Sequence, residues 1–222
     1  MSLEKSGLFS FGAIAENSKL TPTTLGIILV PVKNENYHRL NLKDSILDAS
    51  IERIAAKGID SFSLREVSAL LRVSHNAAYR HYPNKRALLA ACRKKVEEEF
   101  TSVLSKSIEG LDLRDVKTMA KLGEAYIMFF TEHPAYFRFI YESDSTPIDI
   151  TLDPQAPNYP PFKIFQSCCL ALIDEYRCGE KEGLERLLKS FALVQGLSSL
   201  AVSPNVALPK DFTAMIGSIF LR

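Results

Sequence analysis

The stretch Ser63–Lys85, S-L-R-E-V-S-A-L-L-R-V-S-H-N-A-A-Y-R-H-Y-P-N-K, carries the reading of this chain. Ser63 and Glu66 have the S-x-x-E spacing of a capping box. In that motif the hydroxyl accepts one free backbone N–H and the carboxylate returns to the cap's own N–H. Leu64, Val67 and Leu71 recur at i, i+3 and i+7, which marks one face of a helix. Leu71-Arg72-Val73 leaves room only for a turn, and Ser74 supplies a second N-cap. Past Ser74 the side chains divide. Ala78 and Tyr82, one turn apart, can face inward with Val73, while His75, Asn76, Tyr79 and Arg80 fall on another side. A folding core has no use for that polar, aromatic and cationic face. Pro83 stops the helix, Asn84 caps the next one, and Lys85 lands in its first turn.

Two short helices joined by a three- to four-residue turn, the second with an outward polar face, form a helix-turn-helix unit of the kind that enters the DNA major groove. The charge distribution agrees. Between Asn41 and Lys95 there are eleven Lys and Arg against five Asp and Glu, a balance of +6, so the remainder carries −5 of the overall +1. A basic lobe on a mildly acidic body is the electrostatic footprint of nucleic-acid binding.

From Leu42 to about Leu89 the chain resembles the tetracycline-repressor (TetR) family of transcriptional regulators. Helix, glycine, capped helix, turn, Y-x-H-aromatic, Asn-Lys and Leu-Leu all fall at the family's spacing. The resemblance implies that Ser63, Tyr79, His81 and Lys85 hold phosphates. It places Arg65, His75 and Asn76 at base edges, with Ser74, Ala77 and Arg80 completing the DNA-facing set. The chemistry suits those roles. Arg can grip guanine O6 and N7, Asn can pair with adenine N6 and N7, and backbone N–H groups at helix starts attract phosphate. For Arg65 the alternative is a salt bridge to a carboxylate of the preceding helix, and for His81 a packed histidine. Tyr82 reads as core. Arg72 stands where the family commonly has glycine.

At 222 residues, with 46% hydrophobic and 24% charged residues, the chain can bury a substantial core and has the composition of a soluble globular protein. Cys92, Cys168, Cys169 and Cys178 have no metal-ligand spacing and follow no secretory signal, so reduced thiols in a cytoplasmic protein are expected, with Cys168 and Cys169 in the core. The apolar run Leu25–Val32 is too short to cross a membrane, which takes roughly 20 residues. There is no Gly-rich phosphate loop, no H-E-x-x-H and no G-x-S-x-G, so neither catalysis nor a cofactor or metal is expected.

The expected fold is all-α. Residues 1–40 read as a poorly ordered arm. Residues 41–88 read as a three-helix, homeodomain-like helix-turn-helix domain, and 89–222 as a helical ligand-binding and dimerisation domain. Helix 1 should run from Leu42 to Lys57, capped by Asn41 and stopped by Gly58, burying Leu47, Ile51, Ile54 and Ala55. The fourth helix, from Asn84 to about Ser107, should link the head to the rest. Helices are expected over Val116–Thr131, Tyr136–Tyr141, Phe162–Cys178, Gly183–Val202 and Pro209–Leu221. The proline-rich connection from Glu142 to Pro161 reads as a lid, a mobile edge or a partly disordered loop.

Tyr126, Phe130, Phe137, Phe162 and Phe165 are candidates to line an apolar ligand pocket, with His133 or Gln195 as polar anchors. An aromatic stripe at helical spacing serves equally as plain core. Leu187–Leu200 is similar to a late helix in one branch of the family where a Trp, a His and a Gly stand in this arrangement. Here Phe191 and Gln195 replace the first two and Gly196 matches. Phe191, Gly196, Ser199, Phe212 and Ile216 are therefore the expected dimer contacts, since in the family the last two helices pair with their copies. Gly196 could instead serve packing within one chain. The resemblance thus implies a homodimeric, ligand-responsive regulator, a repressor on a pseudo-palindromic double-stranded operator, released by a small molecule with a large apolar part. One competing class keeps the fold as an interaction protein without sequence-specific DNA binding; another is a ligand carrier or enzyme.

Overall fold

Helix stops and caps fix the order of elements. The structure is a computed structural model that describes residues 42–143 and 147–221. The expected N-terminal arm, the run Leu25–Val32 and the Asn41 cap lie outside the described residues. Among the described residues there are helices and no strand. Helix α1 spans Leu42–Lys57, α2 Leu64–Leu70, α3 His75–His81 and α4 Lys85–Ser107. Then come α5 at Val116–Glu132, α6 at Pro134–Phe137 running into a π-helical turn at Arg138–Ser143, α7 at Pro160–Glu175, α8 at Glu180–Val202 and α9 at Phe212–Phe220.

Helix α1 ends at Gly58, which takes a positive φ of 81° and turns the chain without a Cβ clash. Its buried stripe is Ile46, Leu47, Ser50, Ile51 and Ile54. Ala55 is only half-buried, and Ile46 carries the role assigned to it. Each such aliphatic side chain contributes about 1.5–3 kcal/mol when taken out of water. Helix α4 starts where Asn84 Oδ1 accepts the Ala87 N–H at 2.8 Å. It then buries Leu88, Cys92, Val96, Phe100 and Leu104, a stripe at i+4 spacing along its whole length. Its upper half packs on α1, where the Cys92 thiol lies 3.8 Å from the Leu47 carbonyl. Its lower half packs on α5 and α7. One apolar cluster therefore runs without a break from Ile46 to Val202.

Helix α5 lies at the centre of the body. Phe100 of α4 stacks on Phe129 at 4.7 Å and meets Tyr126 and Phe130 at 4.8 and 4.7 Å. At α5 Gly123 the Phe220 ring sits so close that an added Cβ would lie 2.6 Å from one ring carbon, which is how α9 docks. The π-helical turn carries Arg138, whose guanidinium donates to the Val202 carbonyl at 3.2 Å. A cation there also complements the negative end of α8.

The proline-rich connection is held in place over residues 147–159. Asn158 bonds both the N–H and the carbonyl of Asp149. Buried Gln166 of α7 donates to the carbonyls of Thr151 and Asp153 at 2.6 and 3.2 Å. Two side-chain amides, which the composition gave no reason to weight, fasten that span and tie it to α7. Cys168 and Cys169 are buried as expected, and none of the four cysteines forms a disulfide among the described residues.

The turn after α2 closes as a Schellman motif. Val73 N–H bonds the Ser68 carbonyl at 3.0 Å and Arg72 N–H the Ala69 carbonyl at 3.1 Å. The motif requires a left-handed residue, and Arg72 supplies it at φ 55°. A residue with a Cβ is strained there by roughly 1–2 kcal/mol. Arg72→Gly is therefore expected to raise the unfolding free energy by about 1 kcal/mol, and Arg72→Val to lower it by a similar amount. Urea midpoints at unchanged m-value measure both.

Candidate nucleic-acid interface

Helix α3 has seven residues, too few to be stable alone in water. Three anchors hold it. Ser74 Oγ accepts the Ala77 N–H at 3.2 Å. Ala78 is 0% exposed and Tyr82, just past the helix, 3%. The Tyr82 hydroxyl donates to the Lys43 carbonyl at 3.3 Å. Burial, with Asp44 and Cys92 adding to it, pushes the Tyr82 pKa up to about 12, so the phenol stays neutral. Tyr82 is thus core, as expected.

The opposite side is open. His75, Asn76, Tyr79, Arg80 and His81 are all exposed, with Ala77 half-buried between them. Tyr79, 40% exposed, meets the His75 ring edge-on at a centroid distance of 4.4 Å. The pair stiffens a side that the core does not touch. Arg80 Nε lies 3.4 Å from the Asn76 carbonyl, a weak bond that leaves the rest of the guanidinium in water. The packed-histidine alternative for His81 is therefore not what the fold adopts.

Helix α2 presents its start beside this face. Ser63 Oγ accepts the Glu66 N–H at 3.3 Å, which is half of the expected capping box. The other half goes elsewhere, because the Glu66 carboxylate takes Lys57 at 2.8 Å and Arg53 at 3.2 Å. The Lys57 bond, outweighing partial desolvation and joined by Arg53, holds the Glu66 pKa below the usual carboxylate range. The cross-link between α1 and α2 thus uses Glu66. Arg65 is exposed and forms no ion pair among the described residues, so its salt-bridge alternative is not realised.

Lys85 is exposed but not idle. Its ammonium donates to the Ile59 carbonyl at 2.6 Å and lies 6.0 Å from the Phe62 ring centroid. It therefore ties the start of α4 to the α1–α2 connection as well as offering charge. Two further exposed cations, Arg72 and Arg86, belong to the same basic lobe. The balance of charge could have flagged them, but no motif position did.

The expected ligand residues are placed differently. Tyr126, Phe130, Phe137, Phe162 and Phe165 are at most 5% exposed and pack on one another and on Phe100 and Phe191. None of them lines a cavity described below. His133 lies outside, stacked on Tyr136 at 5.0 Å. Gln195 is half-buried and bonds Tyr141, whose hydroxyl is 2.7 Å from that of Tyr126. Burial, against the bonds from Tyr126 and Gln195, pushes the Tyr141 pKa up to about 12. In this structure the aromatic stripe is core with a neutral polar chain through it.

The expected dimer residues also divide. Phe191, Phe212 and Ile216 are buried within the chain, because their side of α8 and α9 faces α5 and α7. Gly196 and Ser199 are exposed. A Cβ at Gly196 would meet nothing within 4 Å among the described residues, so packing among them does not account for that glycine. The outer side of α8 instead presents Leu184, Leu188, Ala192, Gly196 and Leu200 at intervals of four.

The profile of the family "Bacterial regulatory proteins, tetR family" matches residues 46–92. A regulatory protein of the tetR family from Rhodococcus RHA1 is similar in structure, with a TM-score of 0.56 at 21% identity over 82% of this chain and 96% of that one. A TetR-like transcriptional regulator from Rhodococcus sp. RHA1 gives 0.56 at 16% identity, over 81% and 93%. A protein of unknown function from the same source gives 0.54 at 20% identity, over 84% and 97%. Among curated proteins no match is found. At these identities the solved structures speak to the fold, and the profile speaks to the head. Residues 46–92 match the profile of the tetR family of bacterial regulatory proteins, and over most of its length the chain shares the fold of solved tetR-family regulators.

Proposed function

We propose that this protein is a homodimeric repressor that binds a pseudo-palindromic operator through the outer side of α3 and the start of α2, and that a small molecule releases it. The observation that carries the reading is the exposed set His75, Asn76, Tyr79 and Arg80 on a helix anchored entirely from its other side. Under this reading Arg65, His75 and Asn76 read base edges. Ser63, Ser74, Tyr79, Arg80, His81 and Lys85, with the backbone at Ala77, hold the phosphates. Residues 41–88 act as the reading head and 89–222 as the responsive body.

The second copy docks on the outer side of α8. Leu188 is 50% and Leu184 41% exposed, and the small residues Ala192, Gly196 and Ser199 between Leu188 and Leu200 would let another helix approach closely. Two heads so joined would present their α3 helices to two half-sites. Among the described residues no helix is long and apolar enough to cross a membrane.

Ligand acts only through its difference in affinity between the DNA-competent form and the other form. A chain of polar contacts joins body and head. Lys95 of α4 pairs with Asp48 of α1 at 3.4 Å and with Glu99 at 2.7 Å. Glu99 in turn accepts the Tyr136 hydroxyl of α6 at 3.1 Å. Burial alone would lower the Lys95 pKa, but the bond to Glu99 and the charge of Asp48 prevail and raise it. The bridge stays charged.

Selection from random DNA should yield a two-fold-symmetric site. On that site Arg65→Ala with Asn76→Ala is expected to narrow the gap over scrambled DNA by roughly 1–3 kcal/mol per lost base contact. Lys85→Ala should instead weaken all sequences alike and reduce the salt slope by about 1. Fluorescence titrations at several salt concentrations separate the two behaviours; an unchanged gap in the double variant would remove the reading. Leu188→Glu should shift the protein to monomer in sedimentation and lower operator affinity while leaving the helical content unchanged.

A further inference from the structure

A cavity of about 310 Å³ lies between α5, α7, α8 and α9, apart from the aromatic stripe. We propose that it binds a small amphipathic carboxylate, with the hydrocarbon part in the slot and the carboxylate on Lys189 and Arg186. The walls are apolar, formed mainly by Met119, Leu172, Ile173, Leu193 and Phe220. Cys169 also reaches the slot. Burial, with Arg186 opposing and Cys178 adding, pushes its thiol up to about 11, so it meets an occupant as a neutral group. The volume is at the small end of the roughly 300–1,000 Å³ of ligand pockets, which fits a short chain or a single substituted ring.

The charge at the rim sets the head group. Among the described residues no acidic side chain lines the cavity, whereas Arg186 and Lys189 both do. Arg186 is held in place, bonded to Glu182 at 2.9 and 3.1 Å and 5.9 Å from the Tyr176 ring centroid. The nearby Glu175 is engaged by Arg114 at 3.8 Å. Lys189 forms no ion pair among the described residues. Glu182 also feels the Lys189 charge, so two cations share one carboxylate there and the rim keeps a net positive charge. One carboxylate neutralises it and a neutral head group does not.

The site touches what would move. Phe220 is both a wall of the cavity and the ring that fills the space above Gly123. Lys189 and Leu193 sit on α8 between the cavity and the outer stripe proposed to meet a second copy. An occupant would therefore bear on α8 and α9 together. That regulatory consequence rests on the proposed function, whereas the binding itself does not.

Calorimetric titration of the full chain with decanoate, kept below micelle formation, against 1-decanol tests the proposal. One saturable site per chain is expected, with decanol weaker by about tenfold or more. Lys189→Glu and Lys189→Gln should each weaken decanoate by about tenfold or more and bring it level with decanol. Ser190→Phe, which fills the slot from the rim, should remove both. Circular dichroism melts establish that the variants fold. No saturable binding to the unaltered protein, or folded Lys189→Gln and Ser190→Phe proteins that bind decanoate as before, would overturn the site. Decanoate that binds as expected yet leaves operator affinity unchanged supports the site and removes only its link to DNA release.

Discussion

A helix of two turns has no stability of its own, so whatever holds α3 decides which of its sides can serve a partner. In this chain the holding is done by the Ser74 cap, by Ala78 and Tyr82 packed inward, and by the Schellman turn at Arg72. None of these draws on the side chains of His75, Asn76, Arg80 or His81. The outward side is thereby free of structural duty, and its chemistry can match bases and phosphates. The strain at Arg72 fits the same picture, since the turn must set the angle between α2 and α3 even where the sequence lacks the glycine that would make it easy.

The head is not a separate bead. Helix α4 is 23 residues long, about 34 Å at 1.5 Å per residue, and its buried stripe belongs to one cluster from end to end. Helix α1 packs on α6 and the π-helical turn as well as on α4. A polar bridge of Asp48, Lys95, Glu99 and Tyr136 crosses the same junction. A body that repacks around α5 therefore cannot leave the head undisturbed, because the packed stripe and the bridge would have to yield together.

Much of this was legible in the sequence where a local chemical rule was at work. Caps at Ser63, Ser74 and Asn84 and the stop at Gly58 placed α1, α2, α3 and α4 to within a residue, because such rules act over four or five positions. The exposed face of α3 was legible for the same reason. Direction across the body was not. Helix α8 has apolar residues on two sides, so Phe191 looked like a contact surface while Leu184 and Leu188 drew no notice. Only the position of α5 and α7 settles which side is inner. Aromatic spacing likewise reads the same for a packed core and for a pocket. Tyr126, Phe130 and Phe165 fill space in the core, and the cavity has mainly aliphatic walls with Phe220 and two cations that carry no motif.

The central claim is that the outward side of α3 and the start of α2 meet DNA while the rest of the molecule does not. The most direct test is backbone amide NMR on the full chain, recorded with and without its selected operator, with a scrambled duplex as reference. The account predicts that operator-specific changes concentrate at Ser63–Arg65 and His75–Lys85, with smaller changes following α4 into the body. Perturbations equal for operator and scrambled duplex, or centred on α8 with α3 unchanged, would contradict it.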